Sequence, residues 1–249
     1  MDFKKHIPNS ITLLNVFCGS IAVIFAANSN FVMAAIFVFL GIVFDFFDGF
    51  LARKLGVQGP LGIQLDSLAD MITSGLVPGI ILFKLMALSV NDTEMFTHEW
   101  NAVISWQGFK TSPLVFLTLL VPVASAYRLA RFNIDEDQQT SFTGLPTPAN
   151  ALLIVSLPLI LEFQGNDLIN SIILNKWFLI GLTFFSTLML NANIKLFALK
   201  FKDWTFKSNA TRYLFLILAL VSILIMKFAA IPFIVLLYII MSLLTNVSK

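Results

Sequence analysis

Asp45-Phe46-Phe47-Asp48-Gly49-Phe50-Leu51-Ala52-Arg53, then the eight residues Lys54–Leu61, then Gly62-Ile63-Gln64-Leu65-Asp66-Ser67-Leu68-Ala69-Asp70: the reading of this stretch decides the fold. Four carboxylates stand here inside two otherwise apolar runs. A carboxylate within a membrane span is costly, so it is retained for function and faces other protein groups or water rather than lipid. The question is whether the surrounding chain supplies the membrane.

It does. Of 249 residues, 58% are hydrophobic and only 12% charged. Soluble domains carry roughly twice that share of charge. Mean hydropathy is +0.88, and apolar stretches near or above the bilayer-crossing length recur along the whole chain. The 26 phenylalanines suit lipid-facing helix surfaces. The expected fold class is all-α: a polytopic membrane helical bundle of about eight transmembrane helices. The predicted spans are Ile11–Ala27, Phe31–Ala52, Gly62–Leu88, Pro113–Arg131, Thr147–Phe163, Trp177–Leu190, Tyr213–Met226 and Ala230–Leu244. Asn28-Ser29-Asn30 reads as a tight reversal, and Gly56, Gly59 and Pro60 break the chain before the third span.

The basic run Lys4-Lys5-His6 precedes an apolar stretch without a convincing small-residue cleavage site, so the first helix is expected to stay as a span. Residues 1–10 read as a short interfacial segment, and Asn191–Lys207, with four lysines among aromatics, as an interfacial candidate or an anchored cytoplasmic loop. The single cysteine, Cys18, excludes an internal disulfide and reads as packing. His6 belongs to the basic leader and His98 to the opposite side, so neither is expected to catalyse. The loop Ser89–Ser112 carries Asp92, Glu94 and Glu99 against Lys110. Arg53, Lys54, Arg128, Arg131, Lys195, Lys200, Lys202, Lys207 and Arg212 thread to the other side with Lys4 and Lys5. The excess of cations places that side, both termini and the acidic stretch in the cytoplasm.

Helical spacing organises the carboxylates. Asp45, Asp48, Gly49, Ala52 and Arg53 fall at i, i+3, i+4, i+7 and i+8, one face of one helix. Gly62, Asp66 and Asp70 fall at i, i+4 and i+8 on the next, and the turn between lets the two faces oppose. Four converging negative charges need compensation in a low-dielectric site. Hard divalent cations with oxygen ligands supply it, which points to Mg²⁺ or Mn²⁺. The glycines leave room for close approach, and Arg53 offers a planar cation to a phosphate oxygen. Carboxylates, metal and arginine together point to phosphoryl chemistry. A cation-coupled transporter is the rival from another class, since it would use the same aspartates as ion ligands. No internal repeat supports that rival.

All eight fixed positions, at all intervals, resemble the signature of the CDP-alcohol phosphotransferase family. The resemblance implies transfer of a phosphoryl-linked group from a CDP-alcohol to a second alcohol, with release of CMP, within a six-helix catalytic core. It implies two divalent ions, Mg²⁺ or Mn²⁺, on Asp45, Asp48 and Asp66 with Asp70 contributing, and Asp70 as the base toward the acceptor hydroxyl. Gly49, Ala52, Arg53 and Gly62 would line the CDP moiety.

Two further stretches bear on the acceptor. Pro8-Asn9-Ser10-Ile11-Thr12-Leu13-Leu14-Asn15 with Gly19 is similar to the opening of the membrane-embedded, serine-using bacterial branch of that family. There Asn9, Ser10 and Thr12 would join the CDP-diacylglycerol site; helix capping and interhelical hydrogen bonding are the alternative roles. Tyr127-Arg128-Leu129-Ala130-Arg131-Phe132-Asn133 and Phe142-Thr143-Gly144-Leu145-Pro146-Thr147-Pro148-Ala149-Asn150 resemble the same branch. Arg128 and Arg131, at i and i+3, suit a serine carboxylate or a phosphate; as positive-inside anchors they are also ordinary. Asn133 and Gly144 are placed with them, and the Gly144–Pro148 backbone amides are expected to be free for ligand.

The expected substrates are thus CDP-diacylglycerol and L-serine, giving phosphatidylserine, with inositol or glycerol phosphate as alternative acceptors. The resemblance further implies a homodimer in a bacterial cytoplasmic membrane, with no nucleic-acid partner. Residues 1–190 form the expected catalytic membrane core. Residues 191–249, a basic segment plus two helices, extend beyond it with no role assigned.

Overall fold

The computed structural model describes residues 3–90, 112–134, 142–197 and 206–247. The acidic loop with His98, and Lys200, Lys202, Phe201 and Trp204, lie outside the described residues. Ten α-helices and a two-residue ribbon make up the described chain.

Helix α1 (Phe3–Ala27) and α2 (Phe31–Leu55) form a hairpin. Ser29 turns the chain at φ 59°, and the Asn30 side chain caps α2 by accepting from the Met33 amide at 3.2 Å. The buried alanines Ala22, Ala26, Ala34 and Ala35 let the two backbones approach. α1 starts eight residues before the expected span, so residues 3–10 are helical and continuous with it. The hydroxyls of Ser10 and Thr12 donate to the carbonyls four residues earlier, at 2.8 and 3.1 Å, inside that helix.

Gly56, in the left-handed region at φ 65°, ends α2, and its amide donates to the Arg53 carbonyl. α3 (Pro60–Asp70) opens on Pro60 and runs through a π-helical segment, Met71–Leu76, into α4 (Val77–Ser89). Pro78 lacks an amide hydrogen and its ring clashes with the carbonyl four residues back, so the widened turn falls just before it. After a 3-10 segment, Pro113–Leu119, comes α5 (Leu120–Ile134). The strand β1 (Phe142–Thr143) leads into α6 (Thr147–Gln164).

The short α7 (Asp167–Ile173) meets α8 (Lys176–Asn191) at a 54° bend. Strand β2 (Lys195–Leu196) then pairs antiparallel with β1. α9 (Phe206–Met226) and α10 (Ala230–Val247) close the chain.

Six helical stretches are long and apolar enough to cross a membrane, and the bent α7–α8 pair makes a seventh. The last of the six, Asn209–Thr245, is 37 residues long. As one straight helix it would measure about 55 Å, far beyond a hydrocarbon core of about 30 Å. It instead reverses at Lys227, φ 50°, and the Phe215 ring lies 5.7 Å from that of Tyr238 across the hairpin. All eight expected spans therefore appear as helices. The protein is an all-α polytopic membrane protein.

The main core joins α1, α2, α4, α6 and α8 through Val38, Ile81, Leu82, Leu85, Ile154 and Leu179, all fully buried. Gln164, at the end of α6, grips the far hairpin: its amide donates to the Met226 carbonyl at 2.9 Å, and its oxygen accepts from the Ala229 amide at 3.1 Å. The packed core thus leaves the C-terminal end of α2, the start of α3 and the start of α6 together at the other end.

Candidate active site

Asp45, Asp48 and Asp66 each offer a carboxylate oxygen, and the three oxygens lie within 4.8 Å of one another. α2 supplies the first two one turn apart and α3 the third, so the helix faces oppose as the spacing predicts. Asp48 is buried, and its Oδ2 has no hydrogen-bond partner. A buried carboxylate oxygen without a partner is expensive to maintain. Three carboxylate oxygens this close together, one of them buried without a partner, form the donor set that a hard divalent cation takes, so the residues present fit a metal. Asp45, Asp48 and Asp66 would hold it.

Asp70 stands outside that trio. Its Oδ2 accepts a hydrogen bond from the Thr147 hydroxyl at 3.2 Å. Thr147 is the first residue of α6, and its side chain is buried. Arg128 of α5, also buried, interacts electrostatically with Asp70, and its Nε has no hydrogen-bond partner. Asp70 thus has a donor on one side and a cation nearby, and its charge also acts on Asp45, Asp48 and Asp66.

Asp45 is oriented from behind. The Asn15 amide donates to its Oδ1 at 3.4 Å, while the Asn15 oxygen accepts the Thr73 hydroxyl at 2.7 Å. Asn15 and Thr73 are fully buried. Thr73 lies in the π-helical segment, so the widened turn brings its hydroxyl onto α1. Asn15 thus serves as an interhelical support for a site carboxylate.

Toward α1, a Cβ on Gly62 would stand 3.4 Å from Asn9 Oδ1, which places Asn9 against the start of α3. The exposed Arg53 guanidinium folds back toward Gly49, its Nη1 3.5 Å from where a Cβ would stand. Ala52 is half-buried on the same helix. Asn9, Gly49, Arg53 and Gly62 therefore border the carboxylates. Thr12 is buried beside Asp48. Ser10 is exposed, and its hydroxyl is engaged by its own helix.

On the other side, Asn133 Oδ1 accepts from the Ser67 hydroxyl at 3.1 Å, which ties the end of α5 to the residue after Asp66. Arg131 is exposed and donates to Asn193 Oδ1 at 3.2 Å. Arg128 and Arg131 line a solvent-open cleft of about 270 Å³ with Asn191 and Asn193. The two arginines differ sharply in setting.

Gly144 departs from expectation. Its amide donates to the Ile194 carbonyl at 3.0 Å, and the Leu145 amide to the Met189 carbonyl at 2.8 Å. Neither amide is free for ligand. Gly144 has φ +74°, and a Cβ there would meet the Leu190 carbonyl at 2.6 Å. Its glycine is required by backbone geometry and close passage.

Thr147, Thr73 and Ser67 were not singled out by sequence reasoning. The only signal for Thr147 was its place at the start of a helix directly after Gly144-Leu145-Pro146. Thr73 had none, because the π-helical turn that aims it is invisible in apolar periodicity.

A family model for CDP-alcohol phosphatidyltransferase matches residues 5–189. The chain belongs to the CDP-alcohol phosphatidyltransferase family. Three relatives, each named CDP-diacylglycerol–serine O-phosphatidyltransferase, show how it sits in that family. The Bacillus subtilis protein is 29% identical over 168 residues, 68% of this chain and 81% of that one. The Helicobacter pylori protein is 31% identical, covering 59% of this chain and 55% of its own length. The Methanocaldococcus jannaschii protein is 29% identical, covering 67% of this chain and 66% of its own. The chain thus spans between about half and four fifths of these relatives. The family match takes in the carboxylate trio and Asp70, while β2, α9 and α10 fall outside it.

Proposed function

We propose that this CDP-alcohol phosphatidyltransferase moves the phosphatidyl group of CDP-diacylglycerol onto the hydroxyl of L-serine, forming phosphatidylserine and CMP. The observation that carries the reading is the arrangement of the four aspartates: three oxygens within reach of one ion, and a fourth carboxylate that accepts from Thr147 and is flanked by Arg128. Serine as the acceptor is supported by the shared name of the relatives.

Asp45, Asp48 and Asp66 would hold divalent metal, Mg²⁺ or Mn²⁺, as a pair with Asp70 contributing. When bound, it supplies charge neutralisation to the diphosphate oxygens. Arg53, beside Gly49, pairs a phosphate oxygen of the CDP moiety, and Asn9 and Gly62 leave a polar, open border for the nucleotide. Thr12 adds a polar wall beside Asp48, while Ser10 takes a minor part. Asp70 accepts the serine hydroxyl proton as the new oxygen–phosphorus bond forms at the lipid-attached phosphorus. The bond from that phosphorus to CMP breaks, and CMP leaves with the electron pair. Thr147 orients Asp70 for that transfer. Arg128, with Asn133 nearby, attracts the serine carboxylate, and Arg131 gathers anions at the cleft mouth.

We also propose a homodimer in a bacterial cytoplasmic membrane with the site facing the cytoplasm. Arg53, Lys54, Arg128 and Arg131 crowd the site end, whereas among the described residues Lys176 and Lys227 stand at opposite helix ends. Light scattering in detergent and labelling of single introduced cysteines test these two points.

The deciding experiment incubates purified protein with CDP-diacylglycerol, Mn²⁺ or Mg²⁺ and each candidate alcohol, with CMP release as the readout. Serine-dependent CMP supports the proposal. CMP with inositol or glycerol phosphate alone overturns serine, and no CMP with any alcohol overturns the enzyme reading.

A further inference from the structure

The family match ends at residue 189, yet the chain continues through β2 and the α9–α10 hairpin. Much of α9 is exposed and apolar, with Leu216, Ile217, Leu220 and Leu224 suited to lipid. α10 is different. Val235 and Ile239 are buried in a second core that also contains Leu145, Leu153 and Leu196. That core lies directly beneath the lead-in to α6, the segment that delivers Thr147 to Asp70.

A continuous set of contacts joins the hairpin to that segment. The Tyr238 hydroxyl of α10 donates to the Phe197 carbonyl at 2.9 Å, and the Tyr238 ring packs edge-on against the Phe197 ring at 5.0 Å. Phe197 directly follows β2, whose Leu196 and Lys195 pair with Phe142 and Thr143. The Gly144 and Leu145 amides then donate to Ile194 and Met189, at 3.0 and 2.8 Å. Two residues on, Thr147 donates to Asp70. Gln164 at the end of α6 holds the hairpin's turn through Met226 and Ala229, while Tyr238 holds the middle of α10 to Phe197.

We propose that Tyr238 is a positioning residue for the phosphatidyl transfer: through Phe197 and the β1–β2 ribbon it holds the start of α6 so that Thr147 engages Asp70. The proposal rests on the reading of Asp70 as the proton acceptor. It gives the C-terminal hairpin, beyond the family match, a part in the chemistry. Displacement of an orienting group by a fraction of an ångström is enough to slow such a step.

Tyr238→Phe removes the hydroxyl and keeps the ring, so the fold is preserved. Expected is a kcat reduced about five- to tenfold, with the CDP-diacylglycerol KM within about twofold of wild type. In a Thr147→Val background, Tyr238→Phe is expected to add less than about a twofold further loss, because both act through one contact. Equal losses in both backgrounds, or a change confined to KM, would overturn the proposal. A second measurement is independent of turnover: amide hydrogen exchange of the peptide covering Gly144 and Leu145 should quicken several-fold in Tyr238→Phe. Unchanged exchange there would overturn the proposal whatever the activity. Absence of CMP release by the wild type would overturn the enzyme reading alone, leaving the exchange result to decide the coupling.

Discussion

Asn15 links Asp45 to Thr73, donating to the Asp45 Oδ1 at 3.4 Å while its own oxygen accepts the Thr73 hydroxyl at 2.7 Å. The shorter contact fixes the amide; the longer one is aimed by it. A contact joining α1, α2 and the π-helical segment thus sets the direction of a site carboxylate.

Thr73→Val keeps shape and removes the hydroxyl, so Asn15 loses its tether and Asp45 its orientation. Partners behind a metal ligand typically contribute about 10- to 100-fold in metal affinity or activity. The Mn²⁺ concentration for half-maximal CMP release should rise about tenfold. Chelator-treated wild type should lose CMP release, regain it on addition of Mg²⁺ or Mn²⁺, and unfold at a higher temperature when metal is bound. A Thr73→Val protein with wild-type metal dependence would detach Asn15 from the metal site.

Gly41→Ala addresses the same contact by crowding. The added Cβ would lie 2.7 Å from both Asn15 Oδ1 and Thr73 Cγ2, two fully buried groups with nowhere to retreat. Overpacking of this kind costs about 1–3 kcal/mol. The thermal midpoint in detergent should fall by several degrees, and an unchanged midpoint would mean that α1, α2 and the π-helical segment are less tightly joined than their spacing indicates.

How far the sequence reaches is clear from these residues. Apolar run length found all eight helices, since burial in lipid demands it, and the i, i+3, i+4 spacing put Asp45, Asp48 and Asp66 on opposing faces. The continuity of residues 3–10 with the first helix was not legible, because a basic, Pro-containing stretch has no apolar periodicity. Gly144 was read as a source of free amides, but its partners come from α8 and the segment after it, almost fifty residues along the chain. Thr73 and Thr147 were silent for the same reason: a hydroxyl gains its meaning from what the fold brings to it.

Asp70→Asn tests the division of labour among the aspartates. An amide cannot accept the hydroxyl proton, and loss of a general base typically costs about 10²- to 10⁴-fold in rate. Asp45, Asp48 and Asp66 keep their carboxylates in this variant, so calorimetric binding of CDP with Mn²⁺ should weaken far less than turnover. Asp48→Asn should instead lose both binding and turnover. Near-normal turnover in Asp70→Asn would remove Asp70 from the proton-accepting role.

Arg128 and Arg131 were indistinguishable as neighbours at i and i+3, but the fold separates them. Arg128 is buried by Asp70 with Nε unpartnered, while Arg131 is exposed and occupied by Asn193. Removing a buried charge that faces another typically costs about 3–5 kcal/mol, whereas an exposed contact is worth about 1 kcal/mol or less. Arg128→Ala should therefore lower kcat/KM for serine by about two orders of magnitude or more. Arg131→Ala should lower it only a few-fold, and less at high salt, where a steering charge is screened. Steady-state kinetics over a serine series at two ionic strengths separates them. Equal losses in the two variants, both insensitive to salt, would place Arg131 on the substrate and return Arg128 to a structural part.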